Sequence, residues 1–133
     1  MPRLVVDCSA FLACVLPDEN CPDPVLVALR DAEWVVPPLW LIEVGNSLLG
    51  AERRGRIDAP IVARILGSLL DRPLEIEPVL PPGLPEVLEL ARVHGLTAYD
   101  ATYLHLALRR GLPLATFDVD LRRAAAALGV RLA

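Results

Sequence analysis

The chain has 133 residues, 54% of them hydrophobic, and a net charge of −4. That length suits one compact domain, read here over residues 1–133, and a mean hydropathy of +0.46 implies a well-filled core and an apolar surface that needs a partner. Every basic residue is Arg, and the lack of Lys excludes P-loop nucleotide hydrolysis and Schiff-base chemistry.

No apolar run approaches the roughly 20 residues of a membrane span. The N-terminal Met1 to Asp7 lacks the long apolar stretch of a signal peptide. A soluble, cytoplasmic protein with no membrane partner is expected. Cys8, Cys14 and Cys21 are odd in number and too widely spaced for a CxxC pair, so they read as small buried hydrophobes rather than as a disulfide framework.

In chain order, Arg3 to Val6 is a short apolar run that reads as a buried strand carrying Asp7 at its carboxyl end. Ser9 is placed to cap a helix running to about Leu16. Pro24 opens a second helix to about Ala32, and Trp34 to Val36 is a strand stopped by Pro37 and Pro38. A long helix follows from Leu39 to Arg54, ended by Gly55, and another from Asp58 to Leu70 with Ile61, Ile65, Leu66 and Leu69 at helical spacing. Glu75 to Val79 reads as a strand, Pro81 to Gly83 as a turn, and Pro85 to His94 as a helix stopped by Gly95. Thr97 opens the next helix and Gly111 ends it. Leu114 to Thr116 is a strand leading into Asp118, Leu121 to Leu128 a last helix, and Val130 to Leu132 an edge strand. Short apolar strands alternating with helices predict an α/β fold of three layers, α/β/α, around a mostly parallel sheet of five strands.

In such a sheet, ligands bind beyond the carboxyl ends of the strands. Asp7 and Asp118 both follow strands there. Asp100 starts a helix, and Glu43 lies in the first turns of the helix after Pro37 and Pro38. Each has a plainer reading. Asp7 and Asp118 (or Asp120) suit helix caps, and Thr97 to Asp100 suits a capping box. Glu43 resists this treatment: its helical neighbours are apolar, no Arg is in reach, and Asn46 shares its face. Clustered carboxylates repel and need a cation, and hard oxygen donors without Cys or His select Mg²⁺ or Mn²⁺. Two such ions, about 3.5–4 Å apart, serve phosphodiester hydrolysis.

Four segments, in order, resemble the PIN-domain family, and within it the VapC-like toxins. They are Leu4-Val5-Val6-Asp7-Cys8-Ser9, then Val36-Pro37-Pro38 with Glu43-Val44-Gly45-Asn46, then Gly95-Leu96-Thr97-Ala98-Tyr99-Asp100-Ala101, and Leu114-Ala115-Thr116-Phe117-Asp118-Val119-Asp120-Leu121. The resemblance implies a metal-dependent endoribonuclease acting on single-stranded or structured RNA, the toxin of a toxin–antitoxin pair. It implies Asp7, Glu43, Asp100 and Asp118 as catalytic metal ligands, for one or two ions of Mg²⁺ or Mn²⁺. Ser9, Asn46 and Thr116 would support them, with Asp120 supplementing or replacing Asp118. A homodimer and a small protein antitoxin are the implied partners.

Other residues carry weaker signals. His94 and His105 stand alone and read as surface or satisfied core histidines. Tyr99 and Tyr103 flank Asp100 and suit base stacking or core packing. Arg53, Arg54 and Arg56, Arg109 and Arg110, and Arg122 and Arg123 suit phosphate contacts, with solvated helix ends the plainer reading. Two rival functions remain: a catalytically silent RNA- or protein-binding module, and a phosphatase or receiver domain, which the missing Asp-x-Asp and Lys disfavour.

Overall fold

The apolar runs become a sheet. In the computed structural model, which describes residues 1–133, the strands are β1 (Arg3–Val6), β2 (Glu33–Val36), β3 (Leu74–Ile76) and β4 (Leu114–Ala115). Their order is β3-β2-β1-β4 and every pairing is parallel. Leu4 pairs with Trp34, and Val6 with Ala115, so the central β1 is buried from Leu4 to Val6. Burial on both faces is why β1 and β2 are apolar at three successive positions, Leu4 to Val6 and Trp34 to Val36, rather than at alternate ones.

The expected fifth strand is not formed. Leu132 makes a single parallel bridge to Leu114, supported by Leu114 N–H to Arg131 O (2.9 Å) and Ala133 N–H to Leu114 O (3.0 Å). The cause is the brevity of β4. Two residues offer one register position on its outer edge. The strand expected over Glu75 to Val79 is also shorter, Leu74–Ile76. Glu77 still donates to Val36 O, but Pro78 has no N–H to continue the ladder.

The helices are α1 (Cys8–Val15), α2 (Asp23–Asp31), α3 (Leu39–Arg53), α4 (Ala59–Leu70), α5 (Leu84–His94), α6 (Ala98–Arg110) and α7 (Val119–Ala127), with a 3-10 turn over Pro81–Gly83. Asp58 caps α4 by accepting from Ile61 N–H at 2.9 Å. Gly95 and Gly111 end α5 and α6 at φ of 66° and 63°, a left-handed conformation that a Cβ penalises. None of the helices is long and apolar enough to cross a membrane.

The core is one cluster beneath the sheet and helices, anchored by the rings of Phe11, Trp34 and Trp40, whose centroids lie 5.4–6.1 Å apart. Arg72 stacks over Trp34 at 3.9 Å and donates to Leu29 O (2.7 Å) and Ala32 O (3.1 Å). The cysteines correct the sequence reading: Cys14 and Cys21 are joined as a disulfide and only Cys8 is a free, buried thiol. An odd count argues against a full framework, but it does not prevent one pair when a turn returns the chain within seven residues.

Candidate active site

Four parallel strands place all their carboxyl ends along one edge. Asp7 leaves β1 there and is almost fully buried, with 4% of its surface exposed. It caps α1, the plainer of its two sequence readings, and so takes the place that Ser9 was also offered for. Its Oδ1 accepts from Ala10 N–H (2.9 Å) and from Ser9 Oγ (2.7 Å), and its Oδ2 accepts from the Thr116 hydroxyl. Three of a carboxylate's roughly four acceptor positions are thereby filled. Ser9 also accepts from Phe117 N–H (2.9 Å), and Thr116 Oγ1 from Asp118 N–H (3.1 Å). These bonds lock the exit of β1 to the exit of β4.

Asp118 caps α7 through Leu121 N–H at 2.9 Å. Asp100, in the first turn of α6, donates its N–H to Thr97 Oγ1 at 3.1 Å. The capping box is only half made, since the Asp100 carboxylate does not return a bond to the Thr97 amide. Glu43, on α3, accepts from the Tyr103 hydroxyl at 3.3 Å. Asp120 is exposed and pairs with Arg123 at 3.3 Å, while Asn46 is exposed one turn beyond Glu43.

Burial pushes the Asp7 carboxyl above its ordinary range; its bonds to Thr116, Ala10 and Ser9 pull it down, and Asp100 pushes it up further. Burial also raises Glu43, against the Tyr103 bond and with Asp100 and Asp7 adding to the rise. Asp100 is raised by burial and then by Asp118, with Asp120 contributing less than Asp118. The acids therefore repel one another, and no Arg enters the balance at any of the three. Beside them the Cys8 thiol is pushed up to about 11 by burial, so it stays neutral. No three His, Cys, Asp or Glu side chains stand close enough together to hold one metal ion in this arrangement.

The PIN domain family profile matches residues 4–127. The chain belongs to the PIN-domain family. It is 31% identical over 121 residues to Ribonuclease VapC3 of Pyrobaculum aerophilum, covering 90% of this chain and 92% of that protein. It is 40% identical over 83 residues to Exonuclease VapC9 of the same organism, a match spanning 62% of this chain and 60% of that relative. The crystal structure of PAE2754 from Pyrobaculum aerophilum superposes with a TM-score of 0.69 at 31% identity, over 92% of this chain and 79% of that one.

Within this PIN domain, two side chains take roles that the sequence did not assign to them. Tyr103 is in the core, yet its hydroxyl serves Glu43. The signal was its position three residues after Asp100, on the same face of α6. Arg122 donates from Nη1 to Thr116 O at 2.9 Å, next to the residue that binds Asp7. Other candidates resolve into structural roles. His105 is buried with Nε2 2.8 Å from Glu86. Arg109 pairs with Glu77 (2.6 Å) and Arg110 with Glu75 (3.1 Å), so that cluster is neutralised locally.

Proposed function

We propose that this PIN domain is a metal-dependent endoribonuclease, the toxin of a toxin–antitoxin pair, with Asp7, Glu43, Asp100 and Asp118 as its acidic centre. One observation carries the reading above the rest: carboxylates at one sheet edge have their proton affinity raised by burial first and by one another second, with no cationic side chain to relieve them. The all-oxygen chemistry of these donors suits Mg²⁺ or Mn²⁺, and holding one ion by three of them would require the side chains to draw closer than they stand here. Such an ion, when bound, supplies a polarised phosphate and an activated water.

The chain's own residues do the rest. Ser9 and Thr116 hold the Asp7 carboxylate in one orientation, and Tyr103 does the same for Glu43. Asp100 and Asp118 complete the negative field that draws a divalent cation, with Asp120 as a further acid at the rim. In this reading Asn46, exposed one turn beyond Glu43, contacts the substrate. The net charge of −4 is then no obstacle, because a cation in the centre makes the pocket attractive to phosphate.

The relatives' names, ribonuclease and exonuclease, share phosphodiester hydrolysis and differ in mode. Exposed apolar side chains at Ile42 on α3 (76% exposed), Leu70 on α4 (80%) and Val119 on α7 (79%) leave apolar area on separate elements, and a second copy and a small antitoxin are the proposed partners, in the cytoplasm.

The test uses linear and circular single-stranded RNA with Mg²⁺, with Mn²⁺ and with EDTA, beside an Asp100→Asn variant. Cutting of the circle that needs metal and vanishes in the variant supports the reading. Cutting of the linear RNA alone makes the enzyme an exonuclease. RNA binding without any cutting by a folded, inhibitor-free protein favours the silent binding module.

A further inference from the structure

Glu43 is followed along α3 by a polar pocket of about 300 Å³, lined by Asn46, Ser47, Gly50, Arg53, Arg54 and Arg56, with Leu12, Leu16 and Glu19 on the α1 side. The pocket adjoins the acidic centre. Ser47 Oγ lies 3.6 Å from the Sγ of Cys8, the residue after Asp7. Its far end lies on the order of 10–15 Å from Glu43, at 1.5 Å of rise per helical residue.

The three arginines there are not equivalent. Arg56 is bound by Asp18 (2.8 Å) and Glu19 (3.2 Å), which also neutralises the one acid in the lining. Arg53 and Arg54 make no ion pair. Arg54 folds back along α3, so that its Nη1 would stand 3.2 Å from a Cβ at Gly50. A cation at a helix C-terminus is favourable in itself. That accounts for where these arginines occur on α3, but not for a guanidinium lying over a glycine inside a pocket. The pocket therefore offers two uncompensated cations beside a centre that has none.

We infer that this pocket binds a backbone phosphate of the single-stranded RNA, a few nucleotides from the cleaved bond, through Arg53 and Arg54. The inference rests on the ribonuclease reading and adds a positioning role to it. Arg54 supplies the planar fork that suits a phosphate, and Gly50 leaves room for it. Asn46 lies on the path between this phosphate and the acidic centre. A substrate too short to reach the pocket gains nothing from it.

The test measures binding of a labelled ten-nucleotide RNA and of a dinucleotide by fluorescence anisotropy, in an Asp100→Asn background with Mg²⁺ present, across a salt series. Arg53→Ala/Arg54→Ala is compared with its parent, and Arg64→Ala, which removes one charge from exposed α4, is the control, beside the single variants Arg53→Ala and Arg54→Ala that match it in charge. The double variant should bind the ten-nucleotide RNA at least about tenfold more weakly, the loss expected of charge-assisted bonds. Its log–log salt slope should fall by about 0.7 for each phosphate contact removed. The control and the dinucleotide should be unaffected. Equal affinity and slope in the double variant overturn the inference, as does an equal loss in Arg64→Ala or no RNA binding by the parent. Failure of the wild type to cut RNA while these differences hold would sink the nuclease reading and leave the phosphate pocket standing.

Discussion

Thr116 is the residue through which the site is most open to attack. Its hydroxyl donates a hydrogen bond to Asp7 and accepts one from Asp118 N–H, across 109 and 2 residues of sequence respectively. Thr116→Val keeps the shape and removes both bonds. Losing a hydrogen bond to an ionised, buried carboxylate costs about 1.5–3 kcal/mol, and the Asp118 amide adds about 0.5–1.5 kcal/mol. The expected loss at neutral pH is therefore about 2–4.5 kcal/mol, against about 5–15 kcal/mol for a domain of this size. The pH dependence follows from the direction of the Asp7 shift. Burial already raises its folded pKa and Thr116 lowers it, so the substitution raises it further. A carboxyl with a raised folded pKa costs no stability below its unfolded value of about 3.9 and costs most once pH passes the folded value. Urea unfolding with EDTA should show the full deficit at pH 7.5 and at most about half of it near pH 4. Thr116→Ser, which keeps the hydroxyl, should recover most of the loss. An equal deficit at both pH values, or no recovery with Ser, would refute the argument that Thr116 acts by holding a charged Asp7.

Asp100→Asn should abolish cleavage yet stabilise the metal-free protein at neutral pH by up to about 1 kcal/mol, since it removes like-charge repulsion at a half-exposed site; a lower melting temperature in EDTA would contradict the repulsion. Tyr103→Phe leaves Glu43 without its donor and should raise the metal concentration for half-maximal cleavage by about tenfold, an unchanged midpoint counting against any role for the hydroxyl. Because Asp7, Glu43 and Asp100 are all raised and must lose protons to hold a cation, kcat/KM should fall as pH drops through a limb lying above the ordinary carboxylate range. A limb at or below about pH 4 would exclude these groups. Arg72→Ala removes two bonds to carbonyls and the stacking on Trp34, for an expected loss of about 2–3 kcal/mol. Arg72→Lys should restore little of it, because an ammonium lacks the planar fork; full recovery with Lys would show that charge alone matters.

Local sequence determined much of this protein. Runs such as Leu4 to Val6, apolar at every position, imply strands buried on both faces, and hence parallel neighbours joined by helices. Parallel strands in turn commit Asp7 and Asp118 to the same edge, because each follows the carboxyl end of its own strand. Asp7, Asp58, Thr97 and Asp118 cap the helices that follow them, since a capping bond needs only three residues of chain. What spans the chain was decided by tertiary packing. The Tyr103 hydroxyl meets Glu43 across 60 residues. Acidic partners in β3 and the segment after it neutralise Arg109 and Arg110, whereas Arg53 and Arg54 go unpaired. Cys14 finds Cys21 through the turn after α1. The fifth strand shrinks to one bridge because its partner β4 has only two residues to offer. Spacing along a chain encodes bonds between near neighbours, while the choice among several equivalent acids, arginines or cysteines falls to whichever one packing brings within reach.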